Sequence, residues 1–185
     1  MSKHSRLLLD GPQWRPANTL ARPLIPRSLA SWIYESGSLT ARLRYSCGDA
    51  FNLQVLSQSW LSPFYDESQL LRLPGRRYAL VREVLLCDGS QPLIMARSVM
   101  PPDVLKGSGC RLGQLGTRPL GEILFSYREL RRDRLDYAKL SAVDWLPEVA
   151  PLVRDEAVWG RRSLYRVAGG HVLVCEFFLS DVLLF

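Results

Sequence analysis

Two apolar runs joined by a two-residue turn give the clearest structural signal in the chain. Residues 77–87 and 93–100 are both rich in aliphatic side chains, and Asp88-Gly89 stands between them. Because glycine readily adopts the positive φ of a tight hairpin turn, this pattern predicts two neighbouring antiparallel strands. We therefore expect an antiparallel sheet at the centre of the fold.

Two further hairpins are predicted from similar signals. Residues 40–46 and 50–57 flank a glycine turn, and the second of these runs alternates apolar and polar side chains. Residues 162–167 and 171–179 flank a Gly-Gly turn near the end of the chain. Six strands in three hairpins, with helices grouped between them, indicate an α+β fold with a six-stranded antiparallel sheet.

Short helices are expected before and between the hairpins. The segment 102–146 has a helical and irregular pattern, whereas the four prolines within residues 10–27 favour an extended lead-in. Apolar residues at helical spacing mark two helix faces: Leu29, Trp32 and Ile33, which follow the N-cap candidate Ser28, and Leu120, Ile123 and Leu124. The length of 185 residues fits one domain.

The residue composition argues against several classes of enzyme. Zinc and iron sites need clustered ligands, yet the four cysteines are scattered without a C-x-x-C pair, and the only histidines are His4 and His171. The same scarcity of histidine argues against a Ser-His-Asp or Cys-His nucleophile. We therefore interpret the cysteines as buried thiols and expect no metal site.

Charge and hydropathy limit the expected partners and location. The formal net charge is +6 and nearly all the cations are arginine, which favours anionic partners without choosing among them. Residues 128–136 interleave arginine with acidic side chains, so we interpret them as a salt-bridged helix face and expect no nucleic-acid binding. No apolar run approaches the roughly 20 residues of a membrane-spanning helix, and no secretory signal is recognised, so a cytoplasmic location is predicted.

Two charged side chains lie on strand faces that are otherwise apolar. Successive side chains of a strand point to opposite faces, so Arg82 shares its face with four bulky apolar or aromatic side chains. By the same rule, Glu176 shares its face of the last predicted strand with three apolar side chains. A lone charge on a core face is costly unless an opposite charge meets it there.

The sequence leaves two explanations of these charges open. In the first, Arg82 forms a structural ion pair with Glu176 or with a nearer partner around Glu83. In the second, Arg82 and Glu176 line a cavity between the sheet and its covering helices, where Arg82 binds a carboxylate and Glu176 meets a hydroxyl or a proton. Side-chain parity favours neither explanation. A cavity of the second kind suits a small polar acid.

Two weaker candidates also have open alternatives. The run 159–163, Trp-Gly-Arg-Arg-Ser, concentrates cationic and aromatic side chains at a strand start, and a paired arginine corner explains it as well as a ligand contact does. Glycines near residues 117–121 permit close backbone approach, and free amides at the helix start there could bind an oxyanion. Ordinary turns use the same residues.

Four short runs occur in register with the predicted hairpins. They are REVLLCDG at 82–89, PLG at 119–121 with Leu124-Phe125 after it, WGRRS at 159–163, and EFFL at 176–179. Together they resemble the chorismate pyruvate-lyase family, and order and spacing agree from about Ser28 to the C-terminus. Enzymes of this family eliminate pyruvate from chorismate to give 4-hydroxybenzoate, the first committed step of ubiquinone biosynthesis.

The resemblance implies a monomer with one domain over residues 1–185, in which helical flaps cover a buried ligand on the sheet, and no metal or organic cofactor. In the family, an arginine before the D-G turn and a glutamate on the last strand bind the aromatic product, and they match Arg82 and Glu176. Two flap contacts match Leu39 and Leu120. We expect Arg82 to hold a substrate carboxylate, while Glu176 bonds the ring hydroxyl and accepts a proton, which makes both residues catalytic.

This sequence departs from the family pattern at three places. Leu39 stands where the family often has methionine. Between residues 135 and 155 the chain carries additional residues, which we interpret as a surface insertion because loops tolerate such changes. The proline-rich lead-in, residues 1–27, has no clear match in the family.

The resemblance also suggests how the product is handled, and it leaves rival functions. Tight retention of 4-hydroxybenzoate would suit a transient hand-off to a membrane-bound prenyltransferase, without stable membrane insertion. The first rival is a non-catalytic domain that binds a small aromatic acid, because related folds serve as effector-sensing domains of transcription regulators. The second rival is an enzyme that acts on another cyclohexadiene acid or forms 3-hydroxybenzoate.

Overall fold

The fold was analysed in a computed structural model that describes residues 4–18, 25–75, 77–106, 110–154 and 157–185. The strands are β1 Arg15–Pro16, β2 Phe51–Leu61, β3 Ala79–Asp88, β4 Gln91–Met100, β5 Arg131–Ser141, β6 Ala157–Val167 and β7 Gly170–Phe178. The helices are α1 Arg27–Ile33, α2 Leu39–Cys47, α3 Tyr65–Leu70, α4 Cys110–Gly113 and α5 Leu120–Leu124. The strands form one antiparallel sheet in the order β1-β5-β6-β7-β4-β3-β2.

Two of the three predicted hairpins are confirmed. Strands β3 and β4 are joined through Gly89, which has a φ of +55°, and β6 and β7 are joined at Gly169, which has a φ of +89°. Positive φ values of this kind are the reason for glycine at both turns. Strand β7 pairs with β4, so the two hairpins lie side by side at the centre of the sheet.

The predicted hairpin of residues 40–46 with 50–57 is wrong. Residues 39–47 form helix α2, whose N-cap Ser38 accepts a hydrogen bond from the amide of Ala41, and β2 pairs with β3 instead. The helix buries Leu39 and Leu43 at a spacing of four residues. That spacing places both side chains on one helix face over the sheet.

The predicted helix face at residues 128–136 is also wrong, and the sheet has seven strands rather than six. Most of that run lies in β5, where Asp136 is fully buried and binds Arg134 and Arg162. Two strands were not predicted, β1 and β5, whereas one predicted strand, residues 40–46, is absent. Strand β1 is a two-residue pairing of Arg15–Pro16 with β5 inside the lead-in, where the prolines were expected to prevent a regular element. The charges therefore pair across and along strands rather than along a helix.

The segment after β5 is not wholly a surface excursion. Trp145 is 2% exposed, and its ring contacts that of Phe177 edge-on at a centroid distance of 5.2 Å. This part of the predicted surface insertion therefore lies in the core. Whether residues 135–155 are an insertion relative to the family stays a prediction.

The helix predictions are otherwise close. Helix α1 has Pro26 rather than Ser28 at its N-cap, and α5 buries the predicted Leu120, Ile123 and Leu124. Among the cysteines, Cys87 and Cys175 are buried as predicted, Cys47 is partly exposed, and the side chain of Cys110 lies outside the described residues. No helix within the described ranges is long and apolar enough to cross a membrane.

The two faces of the sheet are covered differently. One face packs against the N-terminal Leu7 and Leu8, α3 and Trp145 in a single apolar cluster. The other face carries two apolar clusters, one under α1 and α2 and one under α4 and α5. The gap between these two clusters positions the candidate site.

Candidate active site

A cavity lies between the sheet and two covering segments. We call α2 with its N-cap Ser38 the first flap, and α5 with the preceding Pro119 the second flap. The cavity has a volume of about 40 Å³, within a region of about 520 Å³ that includes the open solvent at its mouth. The four residues predicted from the sequence line it together: Leu39, Arg82, Leu120 and Glu176.

Small side chains on β4 make room for the cavity. Arg82 on β3 lies opposite Ser98 of β4, and Glu176 on β7 lies opposite Ala96 of the same strand. Strand β4 therefore separates the two charged residues, and its short side chains leave the space above them open. All four of these residues line the cavity.

Arg82 is a buried cation with neutral partners. Its side chain is on the face of β3 that lines the cavity, and the residue is 1% exposed. Nη1 donates to Oε1 of Gln58 at 3.1 Å, and Nη2 donates to the carbonyl oxygen of Arg118 at 3.0 Å. Within the described part of the chain no carboxylate pairs with it, and burial lowers the pKa of the guanidinium. Such a group is ready to bind an anion.

Glu176 has a different partner from the one proposed in the structural alternative. The residue is 9% exposed, and its Oε2 accepts a hydrogen bond from Nε of Arg161 at 2.6 Å. Glu83 points to the opposite face of the sheet and pairs with Arg97 at 2.7 Å. An ion pair of Arg82 with Glu176 or Glu83 is therefore wrong, and Arg82 and Glu176 are left facing a shared space.

The WGRRS run contains two buried arginines that form ion pairs on opposite faces of the sheet. Arg161 lies on the cavity face and binds Glu176, whereas Arg162 lies on the opposite face and binds Asp136 at 2.8 Å and also Asp66. A side chain at Gly160 would place its Cβ 2.6 Å from the ring of Phe177, so only glycine fits there. The alternative of a paired arginine corner is correct for both arginines.

Sequence reasoning missed two polar residues beside Glu176. Tyr165 lines the cavity, is almost fully buried, and contacts Phe125 edge-on at 5.8 Å. Burial, and after it the nearby Glu176 carboxylate, raise the pKa of the Tyr165 phenol, which therefore stays a neutral donor. Ser163 is fully buried close to the Tyr165 phenol. Alternation from Arg161 along β6 was the signal that could have found both.

The two flaps touch each other at a glycine. A Cβ added to Gly121 would lie 2.9 Å from Oγ of Ser38 and 3.0 Å from Oγ1 of Thr40. These distances are shorter than an ordinary van der Waals contact, so the absence of a side chain allows the second flap to close on the first. Leu39 and Leu120 are buried and line the cavity from the two flaps.

Among the described residues, no group of three or more histidine, cysteine, aspartate or glutamate side chains is placed to hold a metal ion. The charged groups of the cavity are one arginine with neutral partners and one glutamate bound by an arginine. A cavity with this lining is suited to a small organic acid.

Comparison with known proteins identifies the family. The sequence model of chorismate lyase matches residues 8–184, so the chain belongs to the chorismate lyase family. A probable chorismate pyruvate-lyase of Methylococcus capsulatus is 50% identical over 156 residues, which cover 84% of this chain and 96% of that protein. A protein of the same name from an Azoarcus species is 39% identical over 183 residues and 94% of each chain.

A solved structure supports the fold alone. A transcriptional regulator of the GntR family from Bacillus cereus superposes with a TM-score of 0.54 at 9% sequence identity. The match covers 72% of this chain and 94% of that chain. A similar fold thus occurs in a protein of another class.

Proposed function

We propose that the protein is a chorismate pyruvate-lyase, which converts chorismate into 4-hydroxybenzoate and pyruvate. The observation that carries this proposal is the buried guanidinium of Arg82, which faces the cavity and has only neutral partners among the described residues. Chorismate is a dianion with a carboxylate on its ring, which supplies the missing opposite charge. The names of the relatives in bacteria point to the same reaction.

The roles of the side chains follow from their positions. Arg82 binds the ring carboxylate, and Glu176 presents its second oxygen, Oε1, to the hydroxyl at the other end of the ring. Arg161 donates to the other oxygen, Oε2, and the described residues make no hydrogen bond to Oε1. The ring carbon that carries the hydroxyl loses its proton to Glu176, and the ether bond to the neighbouring ring carbon breaks as the ring becomes aromatic. The departing enolpyruvate takes up one proton at its methylene carbon and becomes pyruvate.

Orientation and enclosure supply most of what this reaction needs. Aromatisation is strongly downhill, so the protein has mainly to align the substrate, balance its charge and accept one proton. Leu39 and Leu120 cover the ligand from the two flaps and keep water away from it. Tight closure of the flaps over the ligand makes product release the slow step.

Several broader features belong to the same proposal. One lyase domain spans residues 1–185, acts as a monomer in the cytoplasm, and has a lead-in at 1–27 and an insertion at 135–155. The product passes transiently to a membrane-bound prenyltransferase. The net charge of +6 would help a brief encounter with an anionic membrane surface.

The test mixes purified protein with chorismate and follows the products by chromatography. We expect 4-hydroxybenzoate and pyruvate to appear in equal amounts. A folded protein that binds 4-hydroxybenzoate but forms neither product would instead be an acid-binding domain. Formation of 3-hydroxybenzoate would assign a different reaction on the same scaffold.

A further inference from the structure

Arg161 connects the carboxylate of Glu176 to the segment that leads into the first flap. Its Nε donates to Glu176 at 2.6 Å, and its Nη1 donates to the carbonyl oxygens of Trp32 at 3.2 Å and Glu35 at 2.8 Å. The residue is 1% exposed, so water does not compete freely for the groups that form these bonds. One side chain thus touches both a ligand-facing group and the backbone that carries a flap.

The bonded carbonyls lie where α1 ends and the first flap begins. Helix α1 ends at Ile33, and only residues 34–37 separate it from the N-cap Ser38 of the first flap. A cation at a helix C-terminus satisfies carbonyl groups that have no partner within the helix. Arg132 adds a second bond to the carbonyl oxygen of Glu35 at 2.7 Å. This short connection is therefore held by two guanidinium groups.

We propose that Arg161 is a positioning residue that orients Glu176 and anchors the first flap over the same ligand. The inference rests on the proposed function, because it concerns the ligand that Glu176 meets. It means that the ligand-facing carboxylate and the flap are held as one unit. Opening of the first flap for product release then requires the bonds of Arg161 to the end of α1 to loosen.

Arginine is suited to this task for a geometric reason. The planar guanidinium presents several N–H groups in a fixed fork, so Nε and Nη1 reach partners in different directions. A lysine at this position keeps the positive charge, but its single nitrogen cannot span Glu176 and the carbonyls of Trp32 and Glu35. The substitution Arg161→Lys therefore keeps the positive charge while it removes the link between Glu176 and the end of α1.

The adjacent residue, Arg162, provides a matched control. It is also buried and also bonded to carboxylates, Asp136 and Asp66, but on the opposite face of the sheet from the cavity. Arg162→Lys removes an equivalent forked ion pair without touching the site. Loss of stability alone affects both variants in the same way.

The first readout is hydrogen exchange of the unliganded protein. In Arg161→Lys we expect the amides of residues 34–41 to exchange at least about tenfold faster than in the wild type, a loss of the order of one charged hydrogen bond. In Arg162→Lys the same amides keep the wild-type rate. Equal rates at residues 34–41 in the two variants would overturn the inference.

The second readout is the dissociation of 4-hydroxybenzoate, followed by stopped-flow tryptophan fluorescence. Arg161→Lys should release it roughly tenfold faster and bind it more weakly, whereas Arg162→Lys should match the wild type. If Arg161→Lys does not fold, Glu176→Gln weakens the same connection from its other end. That variant must then raise exchange at residues 34–41 severalfold, and unchanged exchange would contradict the inference.

These outcomes separate the inference from the function on which it rests. If the wild type does not convert chorismate, the proposed function fails, while exchange at residues 34–41 still reports the anchoring of the flap. If the wild type converts chorismate and the two lysine variants behave alike, the positioning role of Arg161 fails alone.

Discussion

Two buried arginines on neighbouring strands have opposite electrostatic surroundings. Arg97 is held by Glu67 and Glu83, each at 2.7 Å, whereas Arg82 has a glutamine and a backbone carbonyl as its partners. Removing a charge from water is costly, and the carboxylates offset that cost for Arg97 within the protein. For Arg82 the offset is incomplete until an anion binds.

This contrast predicts separate effects on binding and stability. Arg82→Met should weaken 4-hydroxybenzoate binding roughly 100-fold, because it removes charged hydrogen bonds to the ligand carboxylate, and should lower the free energy of unfolding by at most about 1 kcal/mol. Arg97→Met should lower that free energy by about 3–5 kcal/mol, because it leaves two buried carboxylates unpaired. Calorimetric titration and urea unfolding measure the two quantities.

The opposite pattern would contradict this interpretation of Arg82. A strongly destabilised Arg82→Met variant that binds 4-hydroxybenzoate as the wild type does would make Arg82 a structural residue. Arg97→Met provides the matched comparison, since it removes the same group from the other face of the same sheet.

Glu176 is expected to act in turnover rather than in folding. Glu176→Gln keeps the shape of the side chain and an acceptor for Arg161, but it removes the base, so turnover of chorismate should fall about 10²- to 10⁴-fold with the fold intact. Glu83→Gln is the control, because Glu83 is fully buried against Arg97 on the opposite face. That variant should lose stability and keep its turnover per folded molecule.

A Glu176→Gln variant with wild-type turnover would remove Glu176 from the mechanism. Steady-state kinetics at saturating chorismate, together with circular dichroism of each variant, measure both effects. Loss of folding in place of turnover would make Glu176 a structural residue.

At this scale the sequence carried much of the site. Parity in two antiparallel strands placed Arg82 and Glu176 on one face, because alternation is independent of the remaining topology. The partners Gln58 and Arg161 were not predictable, since each depends on which strand lies next to which. Parity also could not decide whether Arg82 and Glu176 meet, because the intervening strand β4 had not been placed between them.

The flaps are the elements that cover the cavity. Gly121→Ala places a methyl group within about 3 Å of Ser38 and Thr40, so the flaps must separate slightly. We expect 4-hydroxybenzoate to dissociate several times faster, while the helix itself is not weakened because alanine favours a helix over glycine. Stopped-flow fluorescence measures the dissociation rate.

Gly113→Ala is the control for this change. Gly113 lies in the short helix α4, and a Cβ there would meet Leu105 and Leu80 only at ordinary contact distances of 3.8 and 4.0 Å. The control should leave dissociation unchanged. If both alanine variants release the product at the wild-type rate, the contact between the two flaps at Gly121 does not limit product release.

Two elements could not be predicted because their local patterns are ambiguous. Residues 39–47 contain apolar side chains that fit both a strand and a helix face, and packing against the face of the sheet selects α2. The alternating charges of β5 suggested pairs along a helix, yet Asp136 pairs with Arg162 on the neighbouring strand. Tertiary pairing decided both outcomes.

At the scale of the whole molecule, the sheet separates two tasks. One face carries the buried ion pairs of Arg97 and Arg162 with a continuous apolar cluster, which holds the N-terminal segment and Trp145. The other face has its apolar packing divided into two clusters by the cavity. Substitutions on the first face are therefore expected to change stability, and those around the cavity to change ligand binding.

The burial of Cys87 on the first face should make the stability of the protein depend on pH in the alkaline range. Burial raises the pKa of Cys87 from 9.0 to about 11. Between pH 9 and 11 the thiol therefore ionises only when the chain unfolds, so stability falls as the pH rises through this window, and below pH 9 the thiol has no effect. Cys87→Ala should make the slope shallower by up to about 1.4 kcal/mol per pH unit.

Urea unfolding at a series of pH values measures this slope. Cys47→Ala is the control, because its thiol lies at the partly exposed end of α2 and its pKa is raised less by burial. Equal slopes for Cys87→Ala and the wild type between pH 9 and 11 would show that the Cys87 thiol does not titrate with unfolding.

The most direct test of the site is a crystal structure of the protein with 4-hydroxybenzoate. If the ligand binds in the cavity beside Arg82, its carboxylate should lie within hydrogen-bond distance of the Arg82 guanidinium and its hydroxyl should contact Glu176. Both flaps should be closed over the ring. A ligand bound elsewhere on the molecule, with Arg82 still bonded only to Gln58 and the carbonyl of Arg118, would contradict the account.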